Sequence, residues 1–376
     1  MSGGFQIEVA ADNDPIAVMN HRKNLPSKME RIDLSEELPS TGGPVDVLVA
    51  GPPCQGFSTL GRRDPEDPRN ELLEIPAEAA RVLAPRFFVL ENVAGVRSGP
   101  HAARLKRSAE RLKGQGYKVM TLDLEMDQFG VPQRRRRVIQ LGWRGDGEFR
   151  LGERRKPTPS IGGALERLDG VANHNPTLLS PGTRSARIAR RIGQGQKLCN
   201  VRSGTSSVPT WTIPDVFGRV SDVEVQVLVA LSRARRRDRK RDWGDADPVT
   251  ARQLTSDVGF PTHRHLCRLL RAGYVRRAGD SEWDLTHTFN GKYRRPKLSS
   301  LAPAVDTRFG DEHYVVHPTE DRAFTVREAA RIQGFPDTYE FYGTDREQRR
   351  MVANAVPPPM ASALAESIRD HLVNAR

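Results

Sequence analysis

Three short stretches combine residue types that chemistry on a heterocycle needs. Gly51-Pro-Pro-Cys-Gln-Gly-Phe-Ser58 follows the apolar run Asp46–Ala50, as a loop follows a buried parallel strand. Glycines let such a loop turn tightly and prolines hold its shape, so Cys54 stands where a thiolate can attack a ligand in a cleft. For Pro-Pro-Cys alone, a structural thiol in a rigid turn is the competing reading. Glu91-Asn92 stands in the same relation to the run Phe87–Leu90, and neighbouring strand ends in a parallel sheet converge. An attacking cysteine and a protonating carboxyl can there act together on one ring. A helix cap or a solvated acid is the alternative for Glu91. Gln133-Arg-Arg-Arg-Arg137 leads into a third run, Arg137–Leu141. In an extended segment Arg135 and Arg137 share one face, and Arg134 and Arg136 the other. One pair can then reach a cleft while the other meets solvent or phosphate; a basic edge that blunts a strand is the plainer reading.

The elements that must position these residues read as α/β over the first 140 residues. A strand is expected at Ile7–Ala11, ending at Asp12, and a helix at Pro15–Asn24 opened by Asp14 and Pro15. Asn70–Leu83 is helical with an interruption at Pro76, Arg104–Lys113 is helical, and Tyr117–Asp123 is extended. This alternation predicts a mostly parallel sheet with ligand chemistry at the strand C-ends. Residues 145–159 read as a linker. Residues 219–290 read as a separate small unit: a helix at Val223–Arg235, a second capped by Thr250, and a third capped by Thr262. The third helix carries Leu266, Leu269 and Leu270 toward a core, and two short strands, Tyr274–Arg276 and Trp283–Leu285, follow it. That order is the order of a winged helix-turn-helix. Thr325 with Glu328 forms a capping box, and Met360–Ile368 is the last helix.

Composition bounds the partners. The 376 residues suit two domains, and 37% hydrophobic residues allow a sizeable core. Lys and Arg number 59 against 47 Asp and Glu, a formal charge of +12 that favours a polyanionic partner. Most of these cations are arginines, a skew that codon usage alone produces, so their clustering is more informative than their number. Cys54, Cys199 and Cys267 lie too far apart for a disulfide framework or a paired metal site. His263 and His265 face different sides of a helix, and His313 and His317 lack a suitable set of cysteines or acids, so no metal is expected. There is no signal-peptide pattern and no apolar run of about 18 residues, so a cytoplasmic protein is expected. The absence of Gly-x-Gly-x-x-Gly after the first strand counts against a dinucleotide oxidoreductase.

Taken in order, the motifs resemble those of the bacterial DNA (cytosine-5)-methyltransferase family along nearly the whole chain. Gly51–Ser58 is similar to the family's Pro-Pro-Cys loop, Glu91-Asn92-Val93 to its Glu-Asn-Val, and Gln133, Arg135 and Arg137 to its Gln-x-Arg-x-Arg. Arg327-Glu-Ala-Ala-Arg-Ile-Gln-Gly-Phe-Pro336 and Asn354-Ala-Val-Pro-Pro358 are similar to its last two motifs. The resemblance implies a Rossmann-like S-adenosylmethionine-dependent sheet in 1–165, a target-recognition domain in 166–325 and a closing segment in 326–376. It implies that Cys54 attacks C6 of a cytosine flipped out of double-stranded DNA. Glu91 then protonates N3, Arg137 holds the base oxygen, Arg135 supports the loop and Asn92 orders it. Asp12, Asn13, Asp33, Pro52, Asn70, Leu72, Asn354 and Val356 fall at cofactor positions; Gln55, Ser58 and Gln133 fall near the DNA. Arg264, Arg268 and Arg271, spaced four and three apart on the third small helix, form a candidate groove-reading face. Arg184–Arg191 and Arg233–Arg241 are candidates for phosphate contact, or simply reflect the codon skew. A monomer on DNA and a cognate restriction endonuclease are the expected partners. The family's Phe-x-Gly-x-Gly cofactor loop has no counterpart, and Gly4-Phe5 matches the turn that follows it. An upstream start is expected over degeneration, and the chain as given is expected to bind the cofactor weakly. A catalytically inactive DNA-binding relative and an RNA cytosine methyltransferase are the alternatives.

Overall fold

The run Phe87-Phe-Val-Leu90 is apolar without alternation because both faces of its strand are covered. Phe87 and Val89 pack with Leu124, Ile139, Leu141, Trp143, Met360, Leu364 and Ile368 on one side. Phe88 and Leu90 pack with Leu73, Ala77, Ala80, Leu105, Leu112 and Val138 on the other. The structure, a computed structural model, describes residues 4–53, 72–152, 157–239 and 246–374. Cys54, Gln55, Ser58 and Asn70 lie outside these described residues. The chain divides into two units: Met1–His174 with Ser299–Thr307 and Val326–Arg376, and Asn175–Leu298 with Arg308–Thr325.

The first unit begins with β1 (Val9–Asp12), α1 (Pro15–Asn24), β2 (Lys28–Arg31) and β3 (Val47–Ala50). Next come α2 (Ile75–Leu83), β4 (Phe87–Val93), α3 (Pro100–Gly114) and β5 (Lys118–Glu125). The first stretch ends with β6 (Gln133–Arg134), β7 (Arg136–Trp143) and a short α4 (Ile161–Ala164). Asp14 caps α1 by accepting from the Ile16 amide at 2.9 Å. Pro76 opens α2 instead of interrupting it, since the first turn has no helical use for an amide hydrogen. The sheet is mixed, which corrects the mostly parallel expectation. β1 pairs parallel with β2, and a four-stranded sheet runs β3-β4-β7-β5. In it β3–β4 is parallel, while β7 lies antiparallel to both β4 and β5. β7 follows β5 by a short return and slots in beside it, so no long crossover keeps the direction. Among the described residues β1 pairs only with β2, and β3 only with β4. The run 47–50 is therefore an edge strand and not a fully buried one, and Val49 is 68% exposed.

The second unit holds α5 (Arg184–Ala189), β8 (Gln196–Cys199), β9 (Ser207–Val208), α6 (Pro214–Phe217) and α7 (Asp222–Arg237). It continues with β10 (Val249–Thr250), α8 (Ala251–Val258), α9 (His263–Arg271), β11 (Val275–Arg277), β12 (Glu282–Leu285) and β13 (Asn290–Arg295). Strands β13-β8-β9 form one sheet and β10-β12-β11 an antiparallel second. Helices α7, α8 and α9 pack on the second sheet through Val227, Leu228, Leu231, Leu254, Leu266, Leu269 and Trp283. Capping boxes at Ser221 and Thr250 start α7 and α8. Thr262 makes no cap hydrogen bond to α9, contrary to expectation. Its hydroxyl is engaged by Thr255 at 2.9 Å and the Ala251 carbonyl at 3.0 Å, which fixes the α8–α9 turn. Leu270 is 38% exposed and does not share the core face of Leu266 and Leu269.

The chain returns to the first unit with β14 (Ala302–Pro303), which pairs with β6. It ends with α10 (Val326–Ile332), α11 (Asp345–Asn354) and α12 (Pro358–Asn374). Gly334 has φ +87°, and a Cβ there would stand 2.6 Å from Pro359 Cδ, so close packing on α12 requires a glycine.

Candidate active site

β3 ends at Ala50, opposite Leu90, whereas β4 runs three residues further, so Glu91 and Asn92 belong to the strand. Beyond that point β4 is paired by β7, with Glu91 opposite Ile139 and Val93 opposite Arg137. Residues opposite in an antiparallel pair share a face, and diagonal neighbours lie within reach of long side chains. Glu91 and Arg137 are such diagonal neighbours. They carry on the face of Phe87, Val89, Ile139 and Leu141 as the apolar core gives out.

Arg137 Nε lies 2.6 Å from Glu91 Oε1, with both side chains largely buried. Burial raises the Glu91 carboxyl above its ordinary range, against the pull of the Arg137 and Arg135 guanidinium groups. The site thus contains a carboxyl that takes up a proton more readily than usual, beside a fixed cation. Asn92 points to the opposite face and is 1% exposed. Its amide donates to the Pro52 carbonyl at 3.3 Å, and its own oxygen accepts from the Val93 amide at 2.9 Å. Asn92 therefore holds the start of the Gly51-Pro52-Pro53 loop, and Gly51 comes so close that an added Cβ would lie 4.0 Å from Glu91 Oε2.

The arginine run alternates as its extended geometry requires: Gln133 and Arg135 are buried, while Arg134 and Arg136 are exposed. Arg135 is buried. Its guanidinium donates to the carbonyls of Val305 at 2.7 Å, Ala353 at 2.8 Å and Ala355 at 3.4 Å. Gln133, expected near DNA, is completely buried. It donates to Gln333 Oε1 at 2.5 Å and the Ile332 carbonyl at 3.1 Å, and accepts from the Val305 amide at 3.0 Å. Its polar atoms are thus occupied inside the first unit. Gln333, which the sequence did not single out, completes the knot through the carbonyls of Val352 and Ala355.

At the end of β1, Asp12 Oδ1 accepts from the Asp14 amide at 2.9 Å, and burial raises its carboxyl. A backbone hydrogen bond from Asn13 and the charge of Arg350 pull the other way. Asp33 and Asn13 are exposed and joined at 3.3 Å, and Asp33 also accepts from Ser35. Leu72 and Val356 are half-buried, and Asn354, the last residue of α11, is exposed. Asp12, Asn13 and Asp33 thus gather at the ends of β1 and β2.

In the second unit Arg264 is exposed and has no partner among the described residues. Arg268 lies 3.7 Å from Glu224, and Arg271 donates to the Cys267 carbonyl at 3.4 Å. The expected phosphate cations are partly consumed. Arg235 is buried against Asp284 at 2.5 Å, Arg187 donates to the Asp215 carbonyl, and Arg190 pairs with Asp321. His313 does have acidic neighbours, contrary to expectation: Asp311 at 2.8 Å and Glu312 at 3.7 Å, because the turn at Asp311 folds back on the ring. No helix among the described residues is long and apolar enough to cross a membrane.

The family model of C-5 cytosine-specific DNA methylases matches residues 1–370. The chain belongs to the C-5 cytosine-specific DNA methylase family. It is 29% identical to the Type II methyltransferase M.AgeI of Thalassovita gelatinovora, over 97% of this chain and 94% of that protein. It is 30% identical to the Type II methyltransferase M1.HphI of Haemophilus parahaemolyticus, over 86% of this chain and 68% of that one. A solved structure of a candidate DNA modification methyltransferase encoded within an E. coli prophage shares the fold. Its TM-score is 0.59 at 20% identity, covering 99% of this chain and 94% of that one. The chemistry of this C-5 methylase is accordingly methylation of DNA cytosine.

Proposed function

We propose that this C-5 methylase transfers a methyl group from S-adenosylmethionine to a flipped-out cytosine of a specific duplex sequence through a covalent Cys54 adduct. The observation that carries the proposal is the Glu91–Arg137 pair at the end of β4, with Asn92 holding Pro52, two residues before Cys54 in the sequence. The Cys54 thiolate bonds to C6, and protonation of N3 by Glu91 takes up the electron pair displaced into the ring. Arg137, a neighbouring cation, holds the base oxygen and then keeps Glu91 ionised. C5 takes the methyl group as a neutral thioether leaves the donor. A solvent base removes the C5 proton so that its pair re-forms the C5–C6 double bond and expels the thiolate, and N3 returns its proton to Glu91. C5 and C6 are shielded by stacking inside a duplex, so flipping is required.

The methyl donor supplies an electrophilic carbon. Asp12, a carboxylate at the end of β1, suits the ribose hydroxyls; Asn13, Asp33, Pro52, Asn70, Leu72, Asn354 and Val356 are the remaining candidates for its site. The second unit is the proposed target-recognition domain. The order α7, β10, α8, α9, β11, β12 and the strand order β10-β12-β11 support a winged helix with α9 as reading helix.

A duplex carrying 5-fluorocytosine tests the mechanism, because loss of the C5 proton is then blocked. The full chain should accumulate a denaturation-resistant protein–DNA adduct in the presence of the methyl donor, and Cys54→Ala should not. A Cys54→Ala protein that methylates at a near-normal rate would sink the covalent route.

A further inference from the structure

Residues 340–342 belong to no strand, yet each of their peptide groups is matched by one asparagine. Asn24 accepts from the Glu340 amide at 2.8 Å and donates to the Glu340 carbonyl at 2.8 Å. Asn173 treats Phe341 the same way at 2.9 and 2.8 Å, and Asn20 treats Tyr342 so at 2.9 and 3.1 Å. A carboxamide offers one acceptor and two donors, so three side chains do the work of a neighbouring strand. Asn20 and Asn24 stand four apart on α1 and so share a side. Asn173 sits at φ +64°, a conformation that asparagine tolerates better than most residues.

A second tie reaches the other end of the same helix. Arg350 of α11 forms an ion pair with Asp14, the cap of α1. Desolvation works against the Asp14 charge, yet the Arg350 hydrogen bond and the helix amides hold this carboxyl below its usual range. The Asp14 amide in turn fixes Asp12 Oδ1. β1 has a strand partner on one side only among the described residues, so its ladder alone does not fix Asp12. The clasp on 340–342 and the Arg350 tie supply the missing constraint.

We propose that Asn20, Asn24, Asn173 and Arg350 are positioning residues that hold Asp12 for the ribose of the nucleoside cofactor. The proposal rests on the reading of Asp12 as the ribose carboxylate. Weakening one tie shifts the carboxylate without removing it, an effect of about tenfold on affinity, or ~1.4 kcal/mol.

Calorimetric titration of the full chain with S-adenosylhomocysteine, alongside turnover, tests this. Asn20→Ala and Arg350→Ala should each raise Kd about tenfold. KM for the methyl donor should rise in parallel, with kcat at saturation little changed, and Arg350→Lys should restore most of the loss. A lowered melting temperature with Kd unchanged in both variants would overturn the proposal and make the clasp a structural brace. Should Asn20→Ala fail to fold, the half-exposed Arg350 decides alone. Asp12→Ala separates the two readings: if it leaves Kd unchanged, the ribose assignment fails and the proposal with it. If it raises Kd while the clasp variants do not, the proposal alone fails. Absence of binding by the unaltered chain removes both.

Discussion

Glu91 is asked to be an acid at a pH where most glutamates are ionised, and its surroundings push in that direction. Burial raises its pKa while Arg137, 2.6 Å away, limits the rise and keeps the ionised form accessible after proton donation. A well-placed acid is typically worth about 10²–10⁴-fold in rate. Glu91→Gln should therefore cut single-turnover methylation by about that range while circular dichroism stays native. Full activity in this variant would remove Glu91 from the chemistry. The same shift has a stability consequence. The folded state holds this proton more tightly than the unfolded one, so the contribution of Glu91 is fully present below its unfolded value of 4.5 and is lost as pH rises through the raised folded value. Glu91→Gln mimics the protonated form, so its melting temperature relative to the unaltered chain should climb as pH rises through that window. A difference flat with pH would contradict the raised value.

At the scale of elements, the sequence was legible where local rules act alone. The start of α1 follows from Asp14 and Pro15, and the alternation of buried and exposed side chains over 133–136 follows from an extended backbone. What was not legible depends on partners distant in sequence. Nothing in the 133–137 pattern says that Gln133 and Arg135 face residues 305, 332–333 and 353–355, far along the chain. Likewise Phe87–Leu90 reads as a strand, but its polar extension through Val93 exists because β7 pairs it there, and β7's direction is a property of the sheet. The buried knot has a measurable price. Arg135→Leu leaves the carbonyls of Val305 and Ala353 without their donor, at about 1–3 kcal/mol each. Denaturant unfolding should show a loss of several kcal/mol, and Arg135→Lys, a shorter donor without the fork, should recover only part of it. A loss under about 1 kcal/mol in the leucine variant would mean that other groups satisfy these carbonyls.

For the whole molecule, the +12 charge promises polyanion binding, but the structure narrows which cations are free to deliver it. Of the three arginines proposed on α9, Arg268 faces Glu224 and Arg271 turns back on its own helix; only Arg264 stands exposed without a partner among the described residues. Forming a DNA contact through Arg268 means giving up an ion pair, which discounts its net contribution, whereas Arg264 has nothing to give up. Arg264→Ala should therefore weaken duplex binding more than Arg268→Ala or Arg271→Ala. The kind of contact shows in the salt dependence. If Arg264 meets a phosphate, affinity for all sequences falls together and the slope of log K against log salt loses about 0.9. If it reads guanine, the slope changes little, affinity for the target alone falls by about 1–3 kcal/mol, and preference relaxes at one base pair. Titrations of target and random duplexes at several salt concentrations distinguish the two. If Arg264→Ala binds both duplexes with unchanged affinity and slope, α9 is not the reading helix.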